Sequence, residues 1–247
     1  MDPARFSTIG HGGMLLCNPL SSANVDLLVE ALDLAPGARA LDIGCGKGEI
    51  LIRVAERWGA EGRGVDWSAE FLADARRLLS ARGPGADVEF VEADATRFET
   101  EPASWDLCIS VGSAWLLGGF SKALQTFQTW LRPGGLALVG EGYWKQPPSR
   151  EYLRLLGARE DEFGTHEANI AAGSSLGLEP LFSSVASDAD WDLYEWTYWS
   201  NIERWSRTNP DDPQRRQILE RGRLGRDRYL RGGREALGFG LYLFRAG

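Results

Sequence analysis

The sequence LDIGCGKGE, residues 41–49, decides the fold. An apolar run typical of a buried strand leads into it, and apolar residues at helical spacing follow it. Between them, Gly44, Gly46 and Gly48 carry no Cβ, which lets the backbone turn tightly and approach a ligand. Ligands of open α/β sheets bind in the crevice at the carboxyl ends of the strands. The stretch therefore predicts a strand, a ligand-binding turn and a helix, the first unit of an α/β domain.

Strands and helices alternate along the chain around this turn. Such alternation predicts βαβ units and a doubly wound, mostly parallel sheet. Pro133-Gly134-Gly135 predicts a turn just before the fifth strand. The predicted strands are 38–45, 62–66, 88–93, 105–111, 136–141, 178–186 and 239–244. The predicted helices are 19–35, 47–58, 68–82, 119–131 and 165–176, and a longer helix-like segment precedes the last strand.

The spacing of the glycines distinguishes between nucleotide-binding motifs. A dinucleotide fingerprint requires G-x-G-x-x-G, whereas this turn reads G-x-G-x-G and has Glu49 at the next position. A carboxylate there lies at the helix N-terminus, where the pyrophosphate of a dinucleotide binds. The Walker sequence GxxxxGK[ST] does not occur in the chain. The turn therefore disfavours NAD and excludes a Walker phosphate site.

Two acidic residues follow the next two strands. Asp66 ends the second strand, where a carboxylate accepts hydrogen bonds from ribose hydroxyls, and Asp94 follows the third strand, next to Ala95. A single Asp in such a position often only caps the following helix. Three glycines and two acids at the same edge of one sheet predict an adenosyl ligand.

Four stretches in the first half of the chain resemble the motifs of one enzyme family. LDIGCGKGE, GVDWS, EADA and LRPGGLALVGE are similar, in order and spacing, to those of class I S-adenosylmethionine-dependent methyltransferases, over about residues 36–145. The resemblance implies S-adenosyl-L-methionine as the cofactor. It also implies a Rossmann-like sheet of seven strands whose last strand is antiparallel, which suits FGLYLF at 239–244.

The same resemblance implies roles for individual residues in cofactor binding. Asp42 and the loop 44–48 hold the methionine end, Asp66 holds the ribose, and Trp67 packs near the adenine. Asp94 and Ala95 read the adenine amino edge, and the backbone at Ser110 and Val111 lines the sulfonium side. The implied cofactor residues are Asp42, Gly44, Cys45, Gly46, Gly48, Asp66, Trp67, Asp94, Ala95, Ser110 and Val111.

Stretches outside the motifs (CNPLS, GEGYW, WDLYE and NPDD) resemble a bacterial subgroup of small-molecule methyltransferases. Simple members of the family join strands six and seven by a short hairpin, whereas this chain inserts a long segment there. No linker is apparent, so residues 1–247 are expected to form a single methyltransferase domain. Its expected parts are an N-terminal lid and helix (1–35), the cofactor-binding core (36–145) and a helical cap insertion (187–235).

Composition limits the compartment and the partners. The chain of 247 residues has a net charge of −8, which argues against a general nucleic-acid binder despite ten Arg against six acids over 203–235. No apolar run is long enough to span a membrane and no signal peptide is recognisable, so a cytoplasmic protein is expected. Three widely spaced cysteines and two histidines predict neither a disulfide framework nor a metal site.

Methyl transfer from a sulfonium is a direct displacement that requires alignment and exclusion of water more than a fixed catalytic set. Accordingly, the sequence offers only candidates for contact with the acceptor, which lie at or near the predicted strand ends. Glu141, Tyr143 and His11 are candidates for catalysis, with the catalytic set unknown. The candidates for substrate binding are Asn18, Trp115, Tyr143, Trp144, Trp196 and Trp199.

The last two candidates belong to WDLYEWTYWSNIERW, residues 191–205. On a helix, Trp191, Tyr194, Tyr198, Ile202 and Trp205 form one apolar stripe, which is expected to be buried on the sheet. Trp196 and Trp199 lie off this stripe. They are expected either to wall the acceptor pocket or, alternatively, to form the contact of a homodimer.

Together these features predict an enzyme (EC 2.1.1.-) that methylates a small molecule by direct in-line transfer from S-adenosylmethionine. Two other functions remain open at this point. A nicotinamide-dependent oxidoreductase is disfavoured by the missing third glycine, and a non-catalytic adenosyl-binding protein would carry the same glycine turn. The sequence does not specify the acceptor or the atom that is methylated.

Overall fold

Seven strands form one sheet in the computed structural model of the chain, which describes residues 3–247. They are β1 (Arg39–Ile43), β2 (Glu61–Asp66), β3 (Asp87–Glu92), β4 (Trp105–Val111), β5 (Leu131–Trp144), β6 (Glu179–Val185) and β7 (Leu237–Arg245). Their spatial order is β3-β2-β1-β4-β5-β7-β6, and β7 is antiparallel to both of its neighbours. The predicted doubly wound, mostly parallel sheet of seven strands is confirmed.

Ten α-helices accompany the strands over residues 3–247. They are α1 (Pro3–Gly10), α2 (Ser22–Ala31), α3 (Glu49–Trp58), α4 (Ala69–Arg82), α5 (Phe120–Trp130), α6 (Arg150–Leu156), α7 (His166–Ser175), α8 (Asp188–Thr208), α9 (Arg215–Arg228) and α10 (Arg234–Ala236). Several begin at a side chain that accepts a hydrogen bond from a free backbone N–H, as Ser68 does for α4 and Thr165 for α7. No helix in this part of the chain has the length and apolar character needed to cross a membrane.

Side chains of the sheet alternate between two hydrophobic layers. In β5, Leu138 belongs to the layer that contains Leu28 of α2, and Val139 belongs to the opposite layer, which contains Phe127 of α5. All four side chains are fully buried. The period of two along a strand puts successive residues on opposite faces, so both faces of the sheet need a covering of helices.

Strand β5 differs from the prediction at both ends. The predicted turn at 133–135 lies within β5, where the pairing with β4 shifts register between Trp105 and Leu107. Gly134 has a φ of 77°, which glycine adopts without strain, and its N–H donates to the carbonyl of Ala246. At the other end β5 continues to Trp144, because pairing with β7 extends beyond the predicted boundary at 141.

The segment between β6 and β7 contains α8, α9 and α10, and α8 carries the aromatic stretch. The expectation that its apolar stripe is buried on the sheet is largely wrong. Only Trp191 joins the layer on the sheet, whereas Ile202 packs with Phe6 of α1 and Ile218 of α9. The ring of Tyr198 lies 5.8 Å from that of Phe6. The stripe instead packs against the N-terminal segment, here residues 3–18. The sequence pattern did not reveal this segment as a packing partner.

Candidate active site

A cavity of about 790 Å³ opens at the carboxyl ends of β1, β2 and β4. The loops after these strands form its floor, and residues of the N-terminal segment form a second wall. Its lining residues include Ser7, His11, Leu15, Leu16, Cys17, Asn18, Asp42, Gly44, Cys45, Gly46, Lys47, Glu49, Asp66, Trp67, Phe71, Asp94, Ala95, Val111, Gly112, Ser113, Trp115 and Leu116. Its size suits a drug-sized ligand, for which pockets typically measure about 300–1,000 Å³.

The glycine turn between β1 and α3 needs its glycines for two reasons. Gly44, Gly46 and Gly48 all have φ between 54° and 71°, a region that other residues rarely adopt. A Cβ on Gly44 would lie 2.4 Å from the Cβ of Ser113, and a Cβ on Gly48 would lie 2.4 Å from the ring of Phe90. The turn therefore combines a left-handed backbone with close packing against β3 and the loop after β4.

Asp42, in β1, is a buried carboxyl group on the floor of the cavity. Burial, together with the charge of Asp66, raises its pKa to about 8. Removal from water destabilises the charged form, and a nearby like charge adds to this effect. A cationic group beside Asp42 would offset both terms. The ammonium group of S-adenosylmethionine has the charge that this position requires.

Asp66, at the end of β2, joins the glycine turn to the start of α4. Its Oδ2 accepts a hydrogen bond of 2.9 Å from the N–H of Gly46, and its Oδ1 accepts one of 2.9 Å from the N–H of Ser68. Burial raises the pKa of Asp66. Each carboxylate oxygen accepts about two hydrogen bonds, so Asp66 retains acceptor capacity for ribose hydroxyls.

The wall beyond Asp66 suits an adenine ring. Trp67 and Ala95 both line the cavity there, as does Asp94. The Oδ1 of Asp94 accepts from the N–H and the hydroxyl of Thr96, so this carboxylate also caps the short 3₁₀ helix that it precedes. Its other oxygen remains available at the cavity edge, with Arg97 3.7 Å away.

Glu49 blocks the position that a dinucleotide pyrophosphate would need. It is the first residue of α3 and is buried, and its carboxylate receives hydrogen bonds from Arg53 and Arg82. These ion pairs neutralise a carboxylate that is placed favourably at a helix N-terminus. The glycine turn is therefore shaped for a ligand without a pyrophosphate at α3.

Comparison with known proteins agrees with this geometry. Residues 40–135 match the family described as a methyltransferase domain. The uncharacterised protein YjhP of Escherichia coli is 32% identical over 244 residues, which cover 98% of each chain. The crystal structure of an S-adenosylmethionine-dependent methyltransferase from Geobacter sulfurreducens in complex with S-adenosyl-L-homocysteine is similar to this chain, with a TM-score of 0.91, 31% identity and 98% coverage of both chains.

The chain belongs to the class I S-adenosylmethionine-dependent methyltransferases. It is an enzyme of that class and uses S-adenosylmethionine as its cofactor, and its sheet is the Rossmann-like sheet of the family. A trans-aconitate 2-methyltransferase from Streptomyces coelicolor is 33% identical over 203 residues, which cover 80% of this chain and 64% of that protein. The nicotinamide oxidoreductase and the non-catalytic protein are thereby set aside.

Most of the residues implied for cofactor binding meet in the cavity of this methyltransferase. The exceptions are Gly48, which packs against Phe90, and Ser110, whose buried hydroxyl lies 2.8 Å from that of Ser113. Ser113 in turn donates to the carbonyl of Ile43. Both exceptions support the loops that face the cavity rather than lining it. The cofactor residues that line the cavity are Asp42, Gly44, Cys45, Gly46, Asp66, Trp67, Asp94, Ala95 and Val111.

The predicted acceptor residues divide into two groups. His11, Asn18 and Trp115 line the cavity. Asn18 donates from Nδ2 to the carbonyl of Val111, and its Oδ1 would lie 2.1 Å from a Cβ on Gly112. This contact carries the N-terminal segment to the end of β4, beside the residues implied for the sulfonium.

Glu141, Tyr143 and Trp144 do not line the cavity, which corrects the expectation that they face the acceptor. Because β5 continues to Trp144, these side chains remain within the sheet and its covering layers. Tyr143 lies 5.5 Å from the ring of His166, and the indole of Trp144 donates to the carbonyl of Glu160. Burial raises the pKa of Glu141, which accepts from the N–H of Gly142.

His11 reaches the cavity, but both of its ring nitrogens are engaged. Nδ1 lies 3.0 Å from the carbonyl of Ser7, and Nε2 lies 2.9 Å from the hydroxyl of Tyr194. Burial lowers the pKa of His11 to about 4. A neutral imidazole held between two partners is suited to fixing the N-terminal segment against α8, and it is a weak base for proton transfer.

Trp196 and Trp199 do not line the cavity either. The ring of Trp199 contacts α9, where the guanidinium of Arg226 lies 4.7 Å from it and a Cβ on Gly222 would approach to 3.0 Å. Trp196 is 45% exposed. The expectation that this pair walls the acceptor pocket is therefore corrected: Trp199 packs in the cluster that joins α8 to α1 and α9, and neither indole lines the cavity.

Sequence reasoning missed several lining residues. Lys47, within the glycine motif, is buried, donates to the carbonyl of His11 at 2.7 Å and pairs with Asp74 at 3.2 Å. Because Lys47 lies within the glycine motif, the sequence already contained a signal that this side chain lies at the cavity. Leu15 and Leu16 carried no comparable signal, because their place in the cavity depends on contacts far along the chain.

Proposed function

We propose that this methyltransferase transfers the methyl group directly, in line, to a small-molecule acceptor. The acceptor site lies on the side of the cavity formed by Leu16 and Asn18, next to the end of β4. The observation that carries the proposal is the continuity of the cavity. One space of about 790 Å³ joins these residues to Asp42 and Asp66, so an acceptor reaches the cofactor without any movement of the sheet.

The residues of the floor hold and orient the cofactor. Asp42 pairs with the ammonium of the methionine end, Asp66 accepts from the ribose, and Asp94 with Ala95 meets the adenine edge. Once bound, S-adenosylmethionine supplies an electrophilic methyl group on a sulfonium whose leaving group is neutral. The floor therefore needs to fix position more than to stabilise a departing charge.

The N-terminal segment excludes water from the reacting groups. It is held to the glycine turn by Lys47, to β4 by Asn18 and to α8 by the contact between His11 and Tyr194. Within residues 1–35, the described part before α2 thus acts as a lid, whereas α2 packs on the sheet. Residues 187–235 act as a cap that supports the lid from outside. Within this single domain (1–247), the part from 36 to 145 supplies the cofactor site.

The similar trans-aconitate 2-methyltransferase supports a small-molecule acceptor by its name alone. Catalysis here depends on alignment, and a base is required only where the acceptor must lose a proton. We propose no catalytic base among the side chains that line the cavity.

Transfer of a radiolabelled methyl group tests this function. The enzyme is incubated with labelled S-adenosylmethionine and a cell extract, and the label is separated into small molecules and macromolecules. We expect the label in small molecules, together with stoichiometric S-adenosylhomocysteine. Label confined to protein or nucleic acid would contradict the proposal. Gly44→Ala, which obstructs the glycine turn, serves as the inactive control.

A further inference from the structure

Glu195 places a carboxylate on the packed side of α8. It follows Trp191 by four residues and precedes Tyr198 by three, so the three side chains project from the same side of the helix. Trp191 packs in the layer on the sheet, and Tyr198 packs against the cluster that contains Phe6. Glu195 between them is partly buried. An apolar side chain would serve this packing better than a carboxylate, so Glu195 needs another explanation.

No cation pairs with this carboxylate. On the same helix, Asp192 is paired with Arg234 at 3.0 Å. No basic side chain within residues 3–247 forms an ion pair with Glu195, and burial raises its pKa to about 7. Buried charges are usually paired. An unpaired carboxylate in a packed region therefore marks a candidate position for ligand binding.

Four tyrosine hydroxyls lie near the carboxylate of Glu195. They belong to Tyr152, Tyr194, Tyr198 and Tyr229, and burial raises the pKa of each, with a further contribution from the charge of Glu195. A charge shifts the pKa of another group only at short range. Hydroxyl oxygens accept hydrogen bonds, as carboxylate oxygens do. The side chains around Glu195 thus offer several acceptors to a group that donates hydrogen bonds.

Two basic side chains also act on these tyrosines but are engaged elsewhere. Arg228 donates from Nε to the carbonyl of Leu155, and the guanidinium of Arg221 lies 4.4 Å from the ring of Phe6. Neither lowers the pKa of Glu195, for which burial is the cause of the shift. The positive charge that Glu195 lacks is therefore not supplied by its neighbours.

The indole of Trp191 is an unused donor on the same side of α8. Trp191 is 9% exposed, and its Nε1 is the only buried side-chain nitrogen or oxygen without a hydrogen-bond partner in the described part of the chain. Its ring lies 6.3 Å from the ring of Tyr194 and 6.3 Å from that of Tyr229. A buried polar group without a partner is rare in folded proteins. One small polar molecule would satisfy both this donor and the carboxylate one helical turn away.

We infer that α8 binds a small amino alcohol, whose ammonium group pairs with Glu195 and whose hydroxyl accepts from Nε1 of Trp191. An ammonium group donates up to about three hydrogen bonds, which the carboxylate and the tyrosine hydroxyls accept. One carboxylate neutralises one charge, which suits an ammonium group better than a calcium ion, since calcium takes about six to eight oxygen ligands.

This site is separate from the cofactor cavity. Glu195 and Trp191 do not line that cavity, so the inference goes beyond the proposed function. Tyr194 connects the two places, because its hydroxyl contacts His11 and Cys17, which do line the cavity.

A matched pair of probes tests the role of charge. The probes are 3-amino-1-propanol and 1,3-propanediol, which share a carbon chain and a hydroxyl, and only the first carries an ammonium group at pH 7. Each is titrated by NMR into the protein saturated with S-adenosylhomocysteine, so that the probe cannot take the place of the cofactor ammonium at Asp42. The indole N–H signal of Trp191, assigned by its absence in Trp191→Phe, reports binding. We expect the Kd of the diol to exceed that of the amino alcohol by about tenfold or more.

Glu195→Gln tests the carboxylate itself. We expect the Kd of the amino alcohol to rise by at least about tenfold in this variant. Glu203→Gln is the matched control, because Glu203 lies on the same helix but outside this group of side chains. Affinity for S-adenosylhomocysteine should stay as in the wild type in both variants. Without the probe, the Tm of Glu195→Gln should equal or exceed that of the wild type, because the variant removes an unpaired charge from a packed region.

Any of four results would overturn the inference. They are binding of the diol as tightly as the amino alcohol, an undiminished affinity in Glu195→Gln, an equal loss in Glu203→Gln, and a Tm of Glu195→Gln well below that of the wild type. The last result would show that Glu195 stabilises the fold through a contact of its own. None of these results affects the proposed function, which the labelling experiment tests.

Discussion

The floor of the cavity and its lid are built by different kinds of contact. On the floor, Gly46 and Asp66 are 20 residues apart and meet because consecutive βαβ units bring their strand ends together. In the lid, Asn18 and Val111 are 93 residues apart, and His11 and Tyr194 are 183 apart. The floor follows from one supersecondary pattern, whereas the lid requires the completed sheet and the helices before β7.

This difference has an energetic consequence. The N–H of Gly46 that is bound to Asp66 is part of a turn in which Gly44 and Gly48 pack closely against neighbouring side chains, so a change there disturbs both ligand contacts and packing. The polar contacts of the lid with β4 and α8, made by Asn18 and His11, are single hydrogen bonds, each with a typical net contribution of about 1 kcal/mol. We therefore expect substitutions in the floor to have larger effects on cofactor affinity than substitutions in the lid.

Gly44→Ala is expected to have the largest effect. The new methyl group would lie 2.4 Å from the Cβ of Ser113, and the backbone φ of 70° is unfavourable for alanine. Overpacking costs about 1–3 kcal/mol, and the left-handed conformation costs about 1–2 kcal/mol. We expect the Kd for S-adenosylhomocysteine, measured by calorimetry, to rise by about a hundredfold or more.

Gly37→Ala is the matched control for this substitution. Gly37 has a φ of 75°, but a Cβ there would have nothing within 4 Å. It therefore carries the backbone cost without the clash. Its thermal stability should fall slightly while its affinity for S-adenosylhomocysteine stays as in the wild type. Equal losses of affinity in both variants would contradict the packing argument.

Asp66→Ala is expected to have the next largest effect. The N–H groups of Gly46 and Ser68 lose their acceptor, and the proposed contact with the ribose is lost as well. Hydrogen bonds to charged groups contribute about 1.5–3 kcal/mol each, so the Kd for S-adenosylhomocysteine should rise by at least about tenfold. Asp26→Ala, at an exposed acid that pairs with Arg53, is the control. An unchanged Kd in Asp66→Ala would show that Asp66 stabilises the start of α4 and does not bind the cofactor.

The raised pKa of Asp42 predicts how cofactor affinity depends on pH. Its pKa of about 8 means that below this pH the carboxyl group holds a proton that an incoming ammonium must displace. Affinity for S-adenosylhomocysteine should therefore fall as pH decreases from 8 to 6, by up to about tenfold per pH unit. Calorimetry in buffers of different ionisation enthalpy measures the released proton. In Asp42→Asn the affinity should be lower and this dependence should flatten.

The same shift determines how Asp42 contributes to folding stability. The pKa rises from 3.8 to about 8 on folding, so the folded protein retains a proton that the unfolded chain releases between these values. The free energy of unfolding contributed by this group consequently decreases as pH rises through that window. Urea unfolding of the wild type and of Asp42→Asn at pH 5 and pH 8 measures the difference. A stability that rises with pH through Asp42 would contradict the sign.

The positions of the floor residues follow from the sequence more directly than those of the lid, because the two depend on different contacts. The glycine turn and Asp66 have fixed neighbours in any βαβ unit, so their positions follow from spacing. Glu141 and Tyr143 depend on where β5 stops, and pairing with β7 moves that end beyond the crevice. The aromatic stripe of α8 shows the same limit. Helical spacing identified its apolar face, but the partner, α1, lies almost the whole chain away.

The lid also provides the substitution with the smallest expected effect. Several other features stay predictions, among them a homodimer and a cytoplasmic location. The position of α8 against α1 has a more direct consequence. Tyr194 is the residue of α8 that contacts His11, and its hydroxyl also lies 3.3 Å from the carbonyl of Cys17. Through these two contacts, Tyr194 links the helical insertion between β6 and β7 to His11 and to Cys17 of the lid.

Tyr194→Phe is expected to have the smallest effect of the series. It removes one hydroxyl from two contacts while keeping the ring, at a cost of about 1 kcal/mol. The Kd for S-adenosylhomocysteine should rise only about threefold to fivefold, because the floor is untouched. Tyr198→Phe is the matched control on the same helix, since the Tyr198 hydroxyl makes only a long contact of 3.4 Å with the carbonyl of Phe6. A larger loss in Tyr198→Phe than in Tyr194→Phe would show that ring packing, and not the bond to His11, holds the lid. A loss in Tyr194→Phe as large as that in Asp66→Ala would remove the distinction between lid and floor.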